Sequence, residues 1–304
     1  MGHRIAILLL ALAGAGTAVP AWSQAGVDAT EENSPAFNLN FTLAAVTDSR
    51  ERGLSNSANR PTVRAAAELL HSSGVFAELE VLGVSKHQYP GGNGIRLQAV
   101  AGYRGGNPDG WHYEVGGLYS RFPGSQLPGA SGYNVTIDPE LEEIVDVTAI
   151  PGDVSPDTAE LFGRISYRGL SLRYFHTVSE NFYGINSNTV CAGIADLVSS
   201  LACYEGGLKN SRGSGYFELA YLHRLSKASA IEVRIGHQRV RNFHDFDTNS
   251  FSIEYRHSWK GFEFSAAAVG ARARNRHAYD VDVGGGKTRD PGKLTVLLGV
   301  SRKF

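Results

Sequence analysis

The sequence predicts an all-β protein: a transmembrane antiparallel β-barrel of about 12 strands, with short periplasmic turns and long extracellular loops. Three observations predict it. Apolar and polar residues alternate with period two in segment after segment, the connections alternate between long and short, and aromatic residues fall at one level of several strands. The 304-residue chain is 42% hydrophobic, 19% charged and 10% aromatic. That composition excludes disorder as the main theme. It also lacks the repeated apolar runs of roughly 18 or more residues that a bundle of membrane helices needs. With 29 basic and 30 acidic residues, the charge gives no sign of nucleic-acid binding.

The first element is an address. Arg4, the apolar run Ile5–Ala13 and the small-residue stretch ending at Ala25 make residues 1–25 a signal peptide. Residues 26–35 then form a short N-terminal periplasmic segment and 36–304 the barrel. Export puts Cys191 and Cys203 in an oxidising compartment, where their spacing permits a disulfide.

The strands follow in order. Phe37, Leu39, Phe41 and Leu43 alternate with Asn38, Asn40 and Thr42. The same parity recurs at Ile95–Tyr103, Trp111–Tyr119, Ala159–Tyr167, Ile231–Ile235, Phe251–Trp259, Phe262–Ala268 and Leu294–Val300, and more weakly at 61–71, 75–85, 170–178 and 215–224. Each segment has roughly the 9–11 residues a tilted strand needs to cross a bilayer. The connections at 72–74, 104–110, Gly169, 225–228 and Lys260 are short, and those between them are mostly longer, up to 122–158 and 179–214. An even strand number places both termini on the short-turn side. There the outward positions include Phe37, Tyr103, Trp111, Tyr167, Trp259, Phe262 and Phe304, the ring expected at a membrane interface.

At residues 46–65 the chain reads Val-Thr-Asp-Ser-Arg-Glu-Arg-Gly-Leu-Ser-Asn-Ser-Ala-Asn-Arg-Pro-Thr-Val-Arg-Ala. This resembles the opening of the TorF family of porins, also described as Gcw_chp proteins, in Asp48, Arg52, Gly53, Ser55 and Pro61, with Ser49 in place of a Tyr. Leu172–Gly184 is similar to that family's aromatic-rich middle strand. The terminal Phe304 is similar to the last residue of outer-membrane barrels, which implies recognition by the barrel-assembly machinery. The resemblance implies an outer-membrane barrel of a Gram-negative bacterium with a transport role.

Opposite the apolar parity lie Glu68, Glu78, Glu80, Glu114, Glu160, Glu218, Glu232, Glu254 and Glu263, with Arg64, Arg96, Arg164, Arg168, Arg173, Arg234 and Arg256. Such charges are costly in lipid, so this face is expected to line a polar lumen. Its near balance of sign argues against strong ion selectivity from the wall. The acidic stretch 122–158, with no Lys or Arg between Arg121 and Arg164, is a solvated loop or one that folds into the mouth and favours cations. Arg121, Arg239, Arg241, Arg272, Arg274 and Arg276 continue the outward register at the extracellular rim. There they form a candidate collar for the phosphates of outer-membrane lipids, lipopolysaccharide included.

Motifs for chemistry are incomplete. Gly284–Thr288 lacks the first Gly of a phosphate-binding loop. Asp245–Asn249 lacks the central Gly of a calcium loop, and Arg256 stands at its twelfth position. His71-Ser-Ser73 falls in a predicted periplasmic turn. The sequence therefore points to no metal, no cofactor and no enzyme. The expected function is a porin-like channel for passive diffusion of small hydrophilic solutes or ions; the alternative is a closed barrel serving as adhesin, receptor or membrane stabiliser.

Overall fold

The structure, a computed structural model, describes residues 36–107, 110–140 and 143–304. The expected signal peptide and the expected 26–35 periplasmic segment lie outside the described residues. Twelve strands close into one antiparallel barrel: β1 (Phe37–Val46), β2 (Thr62–His71), β3 (Val75–Gly83), β4 (Ile95–Gly106), β5 (Trp111–Arg121), β6 (Thr158–Tyr167), β7 (Leu170–Thr177), β8 (Gly215–Arg224), β9 (Ser229–Arg239), β10 (Thr248–Trp259), β11 (Phe262–Ala273) and β12 (Thr295–Lys303). Each pairs with its neighbour in sequence, and β12 returns to β1 with Thr42 opposite Lys303 and Val46 opposite Gly299. Phe41 and Phe304 exchange two backbone hydrogen bonds, of 3.2 and 2.8 Å, so the final residue seals the seam.

The burial pattern inverts that of a water-soluble protein. On β3, Leu79 is 65% exposed while its neighbour Glu80 is 2% exposed. Leu39, Leu161, Ile235 and Ile253 likewise face outward on other strands. A continuous apolar exterior of this size around a charged interior is unfavourable in water and favourable in lipid, so the strands are built to span a membrane.

At the short-turn end the seven aromatic residues expected there are all exposed. Trp111 packs on Tyr167, with ring centroids 4.8 Å apart. Cations lie over several of these rings: Lys260 over Trp259 at 4.8 Å and Arg302 over Phe262 and Phe304 at 5.1 and 4.9 Å. Amphipathic rings beside snorkelling cations suit an interface between lipid and water. Two turns at this end, Arg168-Gly169 and Lys260-Gly261, have both residues at positive φ. This is the two-residue geometry whose twist matches the flanking strands. Arg168 is consequently not a lumen residue: the turn carries it out of the strand, and its guanidinium lies over the Tyr167 ring at 5.2 Å.

The long loops carry structure of their own. Ala130–Asp138 pairs with Glu143–Pro151 in a hairpin, and 179–214 contains α1 (Ser187–Ala192) and α2 (Leu197–Glu205). Asn186 caps α1 through a reciprocal capping box with Thr189, and Asp196 caps α2. A Cys191–Cys203 disulfide staples the two helices. The hairpin leans on this unit: Tyr204 Oη donates to the Ala130 carbonyl at 2.7 Å, and the Tyr133 and Ser200 hydroxyls are 3.0 Å apart. The 122–158 segment thus does not fold into the mouth. Its strands pair with each other and stand against the helices, Glu140, Asp146 and Asp153 are exposed, and among the described residues none of its carboxylates lines the lumen cavity.

Candidate functional site: a charged lumen closed by a hairpin

Inward parity assembles the interior charges into ladders across neighbouring strands. Arg64 on β2 bonds Glu80 and lies 3.4 Å from Glu78 on β3. Arg96 on β4 reaches Glu80 at 2.8 Å. Arg164 faces Glu114 at 3.7 Å, Arg173 faces Glu218 at 3.4 Å, and Glu232 sits between Arg234 and Arg256 at 2.6 and 2.8 Å. Strand β4 runs further than its periodicity suggested and adds a base, Arg104, which bonds Glu68 at 2.9 Å. The parity of Arg96 and Gln98 extends to Arg104 and is the signal that could have found it.

These side chains surround a cavity of about 630 Å³. Its walls run from Gly106, His112, Gly261 and Lys303 at the short-turn end up to Arg50, Glu51 and Arg52. Arg64, Glu68, Glu78, Arg96, Glu114, Arg173, Glu218, Arg234, Glu254, Arg256 and Glu263 all contribute to its surface. Glu80, Glu160, Arg164 and Glu232 also point inward but lie outside that lining. Glu80 is covered by the two arginines it binds, and Glu160 is 1% exposed beneath Arg52.

The cavity ends at the loop between β1 and β2, which enters the barrel. Arg50–Glu51 and Leu54–Ser55 pair as a miniature hairpin. Its base is built on Asp48, whose carboxylate accepts from the hydroxyls of Ser55 (2.5 Å) and Ser57 (2.7 Å) and from Arg50 Nε (2.7 Å). Arg50 then ties the loop to the barrel seam, donating to the Lys293 carbonyl (2.8 Å) and to Thr295 Oγ1 (3.1 Å).

At the tip, Arg52 crosses the lumen. It donates to Glu160 on β6 (2.5 Å) and Gln238 on β9 (2.6 Å). Its guanidinium also lies within 4.8 to 5.4 Å of the Phe175, Phe182 and Tyr216 rings. Glu51 points the other way, to Arg96 and to Tyr183 Oη (2.7 Å). The turn holds Arg52 at φ 52° and Gly53 at φ 80°. A side chain at Gly53 would also meet the Gly270 carbonyl at 2.6 Å, so glycine is required there on both counts. A left-handed arginine costs roughly 1–3 kcal/mol and persists because its contacts outweigh that strain.

Burial pushes the Glu51 carboxyl up, but the Arg96 and Arg52 charges and the Tyr183 hydroxyl outweigh it and hold the group below its ordinary value of 4.5. Burial and the Glu51 and Glu160 carboxylates keep the Tyr183 phenol well above its own. A depressed carboxyl stabilises the docked hairpin fully above the unfolded-state pKa and loses that contribution as pH falls through the folded value. The hairpin is therefore expected to stay docked from neutrality down to about pH 4.5 and to loosen only below it. Proteolysis within 47–61 as a function of pH checks this, and release already near neutrality would contradict it.

The histidine–hydroxyl pairs have simpler roles. His71 Nδ1 meets the Ser73 hydroxyl at 2.8 Å and accepts the Ser73 backbone N–H at 3.2 Å, closing an exposed turn. His257 meets Ser229 across β9 and β10 at 2.9 Å.

No protein-family profile and no curated relative matches the sequence. Among solved structures the chain is similar to the KdgM porin, with 10% identity, 87% of this chain and 99% of that chain covered and a TM-score of 0.43. It is also similar to the NanC porin, with 9% identity, 88% and 98% coverage and a TM-score of 0.43. A third similarity is to the CymD monoaromatic hydrocarbon channel, with 9% identity, 88% of each chain covered and a TM-score of 0.39.

Proposed function

We propose that this protein is an outer-membrane channel for passive diffusion of small hydrophilic solutes or ions, whose extracellular mouth is closed by the 47–61 loop. The observation that supports this most is the shape of the interior. A cavity lined in part by charged side chains runs inward from the short-turn end and stops at a hairpin held by side-chain contacts, not at the barrel wall. A wall-filled barrel of this size would instead interdigitate side chains along its whole length. The sense of the channel follows the usual arrangement, short turns in the periplasm and long loops outside. Asp48, Arg52, Gly53 and Ser55, which carry the resemblance to the TorF family, are the residues that build the hairpin; this supports membership of that family. In this reading Phe304 serves the assembly machinery as well as the seam.

A second reading rests on the stapled helices and the 130–151 hairpin. Val198, Leu197 and Ile137 are exposed there, as in a surface that meets a partner, and the barrel would then be its anchor. Planar-bilayer recording separates the two. A channel gives discrete conductance steps, rising when the hairpin is unlatched. Silence from the wild type and from an unlatched variant alike would leave the anchor reading standing.

A further inference from the structure

The outward-facing arginines do not form an even collar. Arg121 ends β5 on one side of the barrel, and Arg241 lies beyond β9 with its guanidinium 3.4 Å from the Arg212 carbonyl. Arg272 and Arg274 belong to a concave site at the long-loop ends of β9–β11. It is a groove of about 320 Å³ lined by His237, Asp247, Asn249, Arg272, Ala273 and Arg274. His237, Asn249 and Arg272 stand in one row across the three strands, His237 opposite Asn249 and Asn249 opposite Arg272. One register step below them, Ile235 and Phe251 belong to the exposed apolar band.

We infer that this groove binds the phosphorylated headgroup of an outer-leaflet glycolipid. Three features support the assignment. Among the described residues, neither Arg272 nor Arg274 has a carboxylate within ion-pair distance, so two guanidinium forks are available for phosphate oxygens. Asp247, the one acid in the groove, is already engaged: one carboxylate oxygen accepts the Val240 N–H at 2.6 Å and the other faces His244 Nδ1 at 3.1 Å. The Asn249 carbonyl oxygen meets His237 Nδ1 at 2.8 Å, which leaves its amide N–H group as a further donor. The height completes the argument. A lipid whose chains lie along Ile235 and Phe251 carries its phosphate at the level of Arg272, so one molecule satisfies both surfaces. A free anion would use only the upper one.

The inference rests on outer-membrane residence but not on conduction, and a binding measurement tests it apart from any current. Detergent-folded protein is titrated with bis-phosphorylated lipid A, with the same glycolipid stripped of phosphate, and with inorganic phosphate as competitor, and the adducts are counted by native mass spectrometry. The expected result is one retained lipid A, bound about tenfold more weakly by the Arg272→Gln/Arg274→Gln double variant and unchanged in Arg121→Gln. Arg274→Gln alone, in the loop beyond β11, serves should the double variant not fold. Undiminished binding by these variants, equal loss in Arg121→Gln, equal retention of the dephosphorylated lipid, or displacement by inorganic phosphate at the lipid's own concentration would each overturn the assignment.

Discussion

Replacing Arg52 with alanine is expected to raise single-channel conductance by releasing the hairpin from the lumen. The side chain makes two short hydrogen bonds across the lumen, to β6 and β9, and lies over three aromatic rings. Its loss leaves Glu160 buried at 1% exposure without its cation, and breaking a buried pair from one side typically costs about 3–5 kcal/mol. Relief of the left-handed backbone at residue 52 returns only a fraction of that, since alanine is itself disfavoured at positive φ. The undocked state also lets water reach Glu160, so opening is the cheapest response to the substitution. Arg52→Lys keeps the charge but loses the fork and the stacking, and should fall between the two. Gly53→Val reaches the same end independently, because its Cβ would overlap the Gly270 carbonyl. Currents from Arg52→Ala that match the wild type in planar bilayers would remove the hairpin from the gating role.

The largest loss of barrel stability is expected from Glu80→Ala. Glu80 is 2% exposed and accepts from both Arg64 and Arg96. Arg64 keeps only Glu78, at 3.4 Å, and Arg96 keeps Glu51. Two guanidiniums then share reduced compensation inside a low-dielectric wall, at a cost of about 3–5 kcal/mol. Glu80→Gln retains volume and one acceptor oxygen and should lose less. Exposed outward positions such as Leu79 meet lipid in every variant and serve as controls. Unfolding in urea from lipid vesicles reads the difference; a Glu80→Ala midpoint equal to wild type would mean the ladder adds no stability.

The barrel was legible because its rule is local. Lipid outside and charge inside force period-two alternation on each strand, so Phe37 through Leu43 or Phe251 through Trp259 state their own faces without knowledge of their neighbours. Averaged over both faces, the alternation gives the unremarkable mean hydropathy of −0.19. Strand ends were less legible. Arg104 looked like the start of a turn and is a lumen base, while Arg168 looked like a lumen base and is a turn residue. In both cases the parity held and the strand terminus decided.

The hairpin was not legible. Asp48, Arg52, Gly53 and Ser55 stood out as a motif, but nothing in the motif placed Arg52 inside the barrel. Its partners Glu160 and Gln238 are 108 and 186 residues away, and alternation carries no information about what meets across a closed sheet. By itself, then, the sequence determined that twelve strands close around a charged interior, because each strand must satisfy two solvents at once. Only the tertiary structure decided which loop enters that interior and where the surface arginines gather. Both depend on distances across and around the barrel, which exist only once it has closed.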